Sequence, residues 1–185
     1  ARACRALADA TESAGSTQEA EQAVNAARDQ FFATPYRPTG ATEASTAATV
    51  LVDELEWYKS LVRGPPGAHF AHPLCAAEND EVITAAASVL RASADRFAGK
   101  DAHPDLIRLA AARDALAQRL PEQVAELPRS DPDELLAALD PLLRLRALCF
   151  AANQIATYTL TATGAERPRT ASALHAVREL VLEHA

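Results

Sequence analysis

Methionine is missing from this chain altogether, position 1 included, and tryptophan occurs once. Trimming could explain the start, but a segment taken from a longer protein explains both the start and the interior, so the sequence reads as part of a larger whole. Aromatic residues make up only 5% of the 185 residues, while alanine supplies much of the 49% apolar content. Large side chains are therefore too few for a thick core, and thin, closely spaced helices are expected. The three cysteines, Cys4, Cys75 and Cys149, are odd in number and far apart. That spacing excludes a disulfide framework and favours a reducing compartment. No window approaches the about 18 unbroken apolar residues of a membrane span. The first residues, with Arg2, Arg5 and Asp9 among alanines, do not read as a secretory signal. Basic residues are outnumbered 18 to 25, for a formal net charge of −7, which argues against nucleic acid or an anionic membrane surface as partner. The six glycines are dispersed, so no loop can cradle a phosphate, and no Gly-x-Ser-x-Gly stretch presents a nucleophile.

What remains is helical periodicity from end to end. Residues 2–13 form a first short helix, and Ser16 with Glu19 opens a second through a capping box. Ala20, Val24, Ala27 and Phe31 mark one face of that helix, which Pro35 ends by Thr34. The next helix, 42–63, carries Ala47, Leu51, Leu55, Tyr58 and Val62 on one face, with Val50, Trp57 and Leu61 beside them. Gly64-Pro65-Pro66-Gly67 stops it. From Cys75 to Phe97 the spacing predicts a third long helix, with Val82, Ile83, Ala86, Val89, Leu90 and Phe97 inward and Gly99 past its end. Pro104 suits the first turn of a helix bearing Leu106, Leu109, Leu116 and Leu120, and Pro121 and Pro128 bracket a short helical turn. Asp131-Pro132-Asp133-Glu134 starts the longest helix, which runs to about Thr163 with Pro141 expected to kink or divide it. Its stretch from Leu142 to Ile155 is apolar on most sides, as a central helix would be. A last helix follows Thr170, with Leu174, Val177, Leu180 and Val181. The expected fold is all-α: a single domain over 1–185, an antiparallel bundle of about six helices with one long kinked central helix.

Candidate chemistry is sparse. His69, His72 and Cys75 have the spacing of a half zinc site, but no second cluster supplies the remaining ligands. His103, His175 and His184 are scattered. Asp53, Glu54 and Glu56 share a helix without the Glu-x-x-His partner that a carboxylate metal site needs, and Glu56 with Lys59 reads as a surface pair. Arg144 and Arg146, with Asn153 and Gln154, stand inside the apolar long helix. They either line a pocket for an anion or reach outward to acidic neighbours. No catalytic residue, cofactor or metal is expected.

One stretch has a character of its own. Phe31-Phe32-Ala33-Thr34-Pro35-Tyr36-Arg37-Pro38-Thr39-Gly40, followed by Leu51-Val52-Asp53-Glu54-Leu55-Glu56-Trp57, resembles the soluble region of the FUSC family, the fusaric-acid-resistance and aromatic-acid-exporter membrane proteins. In that family a block of membrane helices precedes a helical segment outside the bilayer. The resemblance covers residues 31–57 and elsewhere extends only to helix content and alanine richness. It implies a bacterial inner-membrane parent that exports aromatic or other organic acids, with this domain on the cytoplasmic side. Its partners would be the membrane segments of its own parent, a homo-oligomer being a further one, and its role assembly or gating. The family's transport machinery lies in membrane helices, so no transport residue carries over. Physically, Pro35 and Pro38 fix two backbone angles. The expectation is that Thr34–Gly40 forms a rigid bridge that locks the helices on either side, with Tyr36 and Arg37 docked on the bundle and Asp53 and Trp57 completing the motif. Two other readings stand beside this one: a stand-alone cytosolic helical interaction domain, and a helical sensor that grips aromatic acids through Arg144 or Arg146.

Overall fold

The computed structural model describes residues 1–13, 16–33, 42–63, 70, 74–125 and 132–165, and only the backbone at 132–135, 137 and 138. The Thr34–Gly40 bridge, the Gly64–Gly67 stop, His69, His72, His175, His184 and the helix expected after Thr170 lie outside the described residues. Within them there are six helices and no strand: α1 (Arg2–Glu12), α2 (Thr17–Ala33), α3 (Glu43–Arg63), α4 (Ala76–Phe97), α5 (Leu106–Ala125) and α6 (Pro132–Ala162).

Local chemistry sets most of the boundaries. The Thr42 hydroxyl accepts the Ser45 amide at 3.1 Å and opens α3. The Asp105 carboxylate accepts the Arg108 amide at 2.9 Å and caps α5. Pro104 therefore stands just before the cap, one step outside the first turn that its ring was expected to fill. Pro132 does occupy the first position of α6, where its missing donor costs nothing. At the far ends of α4 and α6 the chain reverses through glycines in left-handed conformation, Gly99 (φ 78) and Gly164 (φ 68). In both, the two amides after the helix fold back onto its last carbonyls: Gly99 to Arg96 and Lys100 to Asp95, both at 3.0 Å, and Gly164 to Thr161 and Ala165 to Leu160 at 3.2 and 2.9 Å.

One helix outruns the sequence reading: α5 continues through Pro121 to Ala125 where a break was expected. α6 has the expected length, 31 residues, and Pro141 does not divide it. A proline inside a helix forfeits one hydrogen bond and leaves the carbonyl four residues earlier without its donor. Pro121 and Ala117 are both exposed, so water can satisfy that carbonyl in α5. In the other direction, α4 begins one residue later than expected. Cys75 precedes it in left-handed backbone (φ 53), while the Asn79 side-chain amide donates to the Leu74 carbonyl at 2.8 Å.

The helices alternate in direction, as ion pairs at matching heights show. Along α2 and α3, Glu21 meets Arg63 (3.4 Å), Asn25 accepts from Lys59 (2.9 Å), and Arg28 faces Glu56 (3.7 Å). One series ascends while the other descends, so the pair is antiparallel. Arg5–Asp95 (2.7 Å) and Arg91 to Asp9 and Glu12 (3.0 and 2.6 Å) set α1 antiparallel to α4 in the same way. The C-terminal ends of α4 and α6 lie together, with Arg96 donating to Thr163 at 3.4 Å, so these two run parallel. The up-and-down bundle expected from short connectors is present.

The core is thin where alanine predominates. On α4, which packs against α1, α5 and α6, Ala85, Ala86 and Ala87 are all buried, together with Val82, Ile83, Val89 and Leu90. The predicted stripe of α3 is buried throughout, and Tyr58 has no exposure at all. Its phenol reaches the Thr11 hydroxyl at 2.9 Å, while that hydroxyl lies 2.7 Å from the Leu7 carbonyl. The carbonyl can only accept, so Thr11 donates to it and Tyr58 donates to Thr11. This relay ties α3 to α1 across the centre of the bundle.

Candidate functional site

The sequence nominated two arginines on α6, and the structure separates them. Residues two apart on a helix point about 200° away from each other. Arg144 lies with its guanidinium over the Phe70 ring, at 5.4 Å from the centroid. Its side chain is 13% exposed, and none of its three nitrogens has a hydrogen-bond acceptor. Asp140, one turn earlier, comes within 3.3 Å of Nε as an ion pair and is itself 58% exposed. Arg146 is exposed on the other side of α6, where its charge and that of Arg113 on α5 act on Cys149. The two guanidinium groups do not converge, so an anion site built on both is not there.

The carboxylates of α3 also diverge. Glu56 pairs with Lys59, as the spacing predicts, and both face α2. Asp53 is exposed, on the same outer side as Trp57. Glu54 is turned about 100° from Asp53, onto the side of α3 shared by Val50, Trp57 and Leu61, which meets α6 where Trp57 touches Phe150. Its Oε2 is buried without a hydrogen-bond partner. Burial raises its pKa above the usual carboxylate value, and the neighbouring charge of Asp53 raises it further.

The thiols are inert by placement. All three cysteines are buried and unpaired. Burial pushes Cys4 up to about 11 and Cys149 up to about 12, and raises Cys75 as well. Among the described residues no three His, Cys, Asp or Glu side chains gather into a metal cluster. Two open depressions sit at the end of the bundle where α4 and α6 terminate. One, of about 410 Å³, is lined by Arg96, Lys100 and Asp101 among others, and the second, of about 460 Å³, by Glu43, Thr161, Gly164 and Ala165. The charges of the first are already matched, Arg96 to Asp101 at 3.2 Å and Lys100 to Asp95 at 3.0 Å.

The feature the sequence reading missed is the outer face of α6. Leu136, Leu143 and Phe150 are 64%, 57% and 56% exposed. Their spacing of seven aligns them along about 21 Å of helix. Trp57 of α3, 38% exposed, stands edge-on to Phe150 with ring centroids 5.9 Å apart and carries the patch onto the neighbouring helix. The stretch Leu142–Ile155 was expected to be central because it is apolar on most sides. Leu142, Leu145, Leu148, Cys149, Ala151, Ala152 and Ile155 do face the core, against α3, α4 and α5, while Leu143 and Phe150 face outward. A strict repeat of seven on the side opposite the core residues was the legible signal. No described helix is long and apolar enough to cross a membrane. Comparison with known proteins gives no family: no family model, no curated protein and no solved structure matches the chain.

Proposed function

We propose that this chain is a non-catalytic helical domain of a FUSC-like inner-membrane exporter of aromatic or organic acids, standing outside the bilayer on the cytoplasmic side. In this reading it serves assembly or gating of its parent. The observation that supports it is the apolar face of α6 and Trp57, which a domain with no partner has no reason to expose over such a length. Segments of the parent chain, or a second copy of it, would cover that face. The test is made in the full-length protein in membranes. A photo-reactive residue in place of Leu143 is expected to cross-link to another segment of the same polypeptide or to a second copy. The same residue in place of Thr84, exposed on α4, is expected to give no product. A reading frame without membrane spans would remove the exporter and favour a stand-alone cytosolic interaction domain, for which position 143 would cross-link to a separate protein.

One observation favours a second reading, the carboxylate sensor. Three buried guanidinium nitrogens of Arg144 without an acceptor are matched by a planar carboxylate, which takes two parallel N–H bonds. Benzoate is expected to raise the melting temperature of the native chain and to leave Arg144→Met unmoved. A shift that survives in that variant removes Arg144 from the reading.

A further inference from the structure

We infer that the outer face of α6 is built for a basic amphipathic helix, whose cation closes on Glu54. The inference rests on the reading of this face as a docking face and does not depend on an exporter as the parent. Three observations lead to it. Leu136, Leu143 and Phe150 stand exposed at intervals of seven, the interval at which a second helix meets the same side of α6 turn after turn. A helix with an apolar stripe of its own matches that series along its whole length, and is the occupant inferred here. At the Phe150 end the patch continues onto α3 through Trp57, and Glu54 lies one turn before that ring. Its Oε2 is shut away from water and accepts no hydrogen bond. A carboxylate at the rim of an apolar face, beside the exposed Asp53, fits a lysine or arginine on the incoming helix.

Among the described residues no side chain donates a hydrogen bond to Oε2 of Glu54. On α3, Lys59 is held by Glu56 and Asn25, and Arg63 pairs with Glu21. Arg28 of α2 pairs with Asp29 and Glu56. On α6, Arg144 lies over Phe70 with Asp140 at 3.3 Å, and Arg146 is exposed on the other side of the helix. In this inference the charge that completes Glu54 is carried by the incoming helix. An acidic helix would bring a third carboxylate to Asp53 and Glu54, and a neutral one would leave Oε2 as it is.

Trp57 is the single tryptophan of the chain, so its emission reports on this face alone. The chain is titrated with three synthetic helical peptides of about 21 residues that share one leucine stripe with a spacing of seven. Their flanking positions carry lysine, glutamine or glutamate. The lysine peptide is expected to shift Trp57 emission and to bind about tenfold more tightly than the glutamine peptide. Glu54→Gln should equalise the two, and Leu143→Asp should abolish binding of all three. Leu143 is 57% exposed, so its replacement leaves the core intact, and circular dichroism checks that both variants keep native helicity. Equal binding of the lysine and glutamine peptides by the native chain overturns the role of Glu54, as does tightest binding of the glutamate peptide. If none of the peptides binds while position 143 still cross-links in the full-length protein, the basic-helix inference falls and the exporter reading stands. If the lysine peptide binds as expected while the cross-link fails, the reverse holds.

Discussion

At the scale of single residues, the buried polar groups separate into those that are satisfied and those that are not. The relay from Tyr58 through Thr11 to the Leu7 carbonyl is complete, and each of its members is fully buried. Thr11→Val keeps the shape but leaves the phenol of Tyr58 without an acceptor. The expected cost is about 1–3 kcal/mol in urea unfolding. Adding Tyr58→Phe removes the orphaned donor, so the double variant should be more stable than Thr11→Val alone, and a double variant at least as unstable would show that the relay is not the cause. The buried thiols set an alkaline limit. Cys4 and Cys149 are raised from 9.0 to about 11 and about 12 by burial, and burial raises Tyr58 far above its ordinary value. A folded-state value above the unfolded one means that the unfolded chain releases its protons first as pH rises. The stability these groups contribute is whole below pH 9 and is lost as pH climbs toward 12. Unfolding curves followed by Trp57 emission should therefore show stability falling above pH 9, and Cys4→Ala with Cys149→Ala should flatten part of that fall.

At the scale of elements, several helix ends have a local and visible cause. Gly99 and Gly164 adopt positive φ after α4 and α6, and a Cβ built at either meets nothing within 4 Å. Space is available, so the penalty for alanine is purely conformational. Gly164→Ala is expected to lower stability by about 1 kcal/mol, read as a shift in urea midpoint at unchanged slope. Gly99 was legible as a stop because a glycine just past an apolar stripe has few other uses. Pro121 was misread for the opposite reason: a proline breaks a helix only where the lost hydrogen bond has no substitute, and exposure supplies water as one. Whether a helix position faces water depends on how the helix packs, and no local pattern states it.

At the scale of the molecule, the bundle is narrow because alanine lines its centre. Ala86 and Ala87 have no exposure, and on α6 the same is true of Ala151, Ala152 and Ala156. Close approach of the backbones is what these positions provide, so enlarging one should do more harm than its added apolar area does good. Ala86→Leu is expected to destabilise the chain by about 1–3 kcal/mol in equilibrium unfolding. A stabilised variant would mean that the centre of the bundle is looser than close packing requires. The ion-pair ladders along α1–α4 and α2–α3 sit at the surface and contribute less than their number implies. Their value is in register: each ladder matches only when one helix runs against the other.

The sequence by itself determined the helices, most of their ends and the faces that enter the core. Those follow from a spacing of 3.6 and from the chemistry of threonine, aspartate, proline and glycine. It also placed Tyr58, Val24 and Leu90 inside, because each belongs to a single one-sided stripe. α6 was the exception. Apolar on most sides, it has no one-sided stripe, and only the arrangement of α3, α4 and α5 around it decides which side is core and which is left to Leu136, Leu143 and Phe150. The same arrangement laid Arg144 over Phe70 and set Glu54 against α6 beside Trp57. A helix carries its own hydrogen bonds, so its existence is local; which of its sides is buried depends on its neighbours.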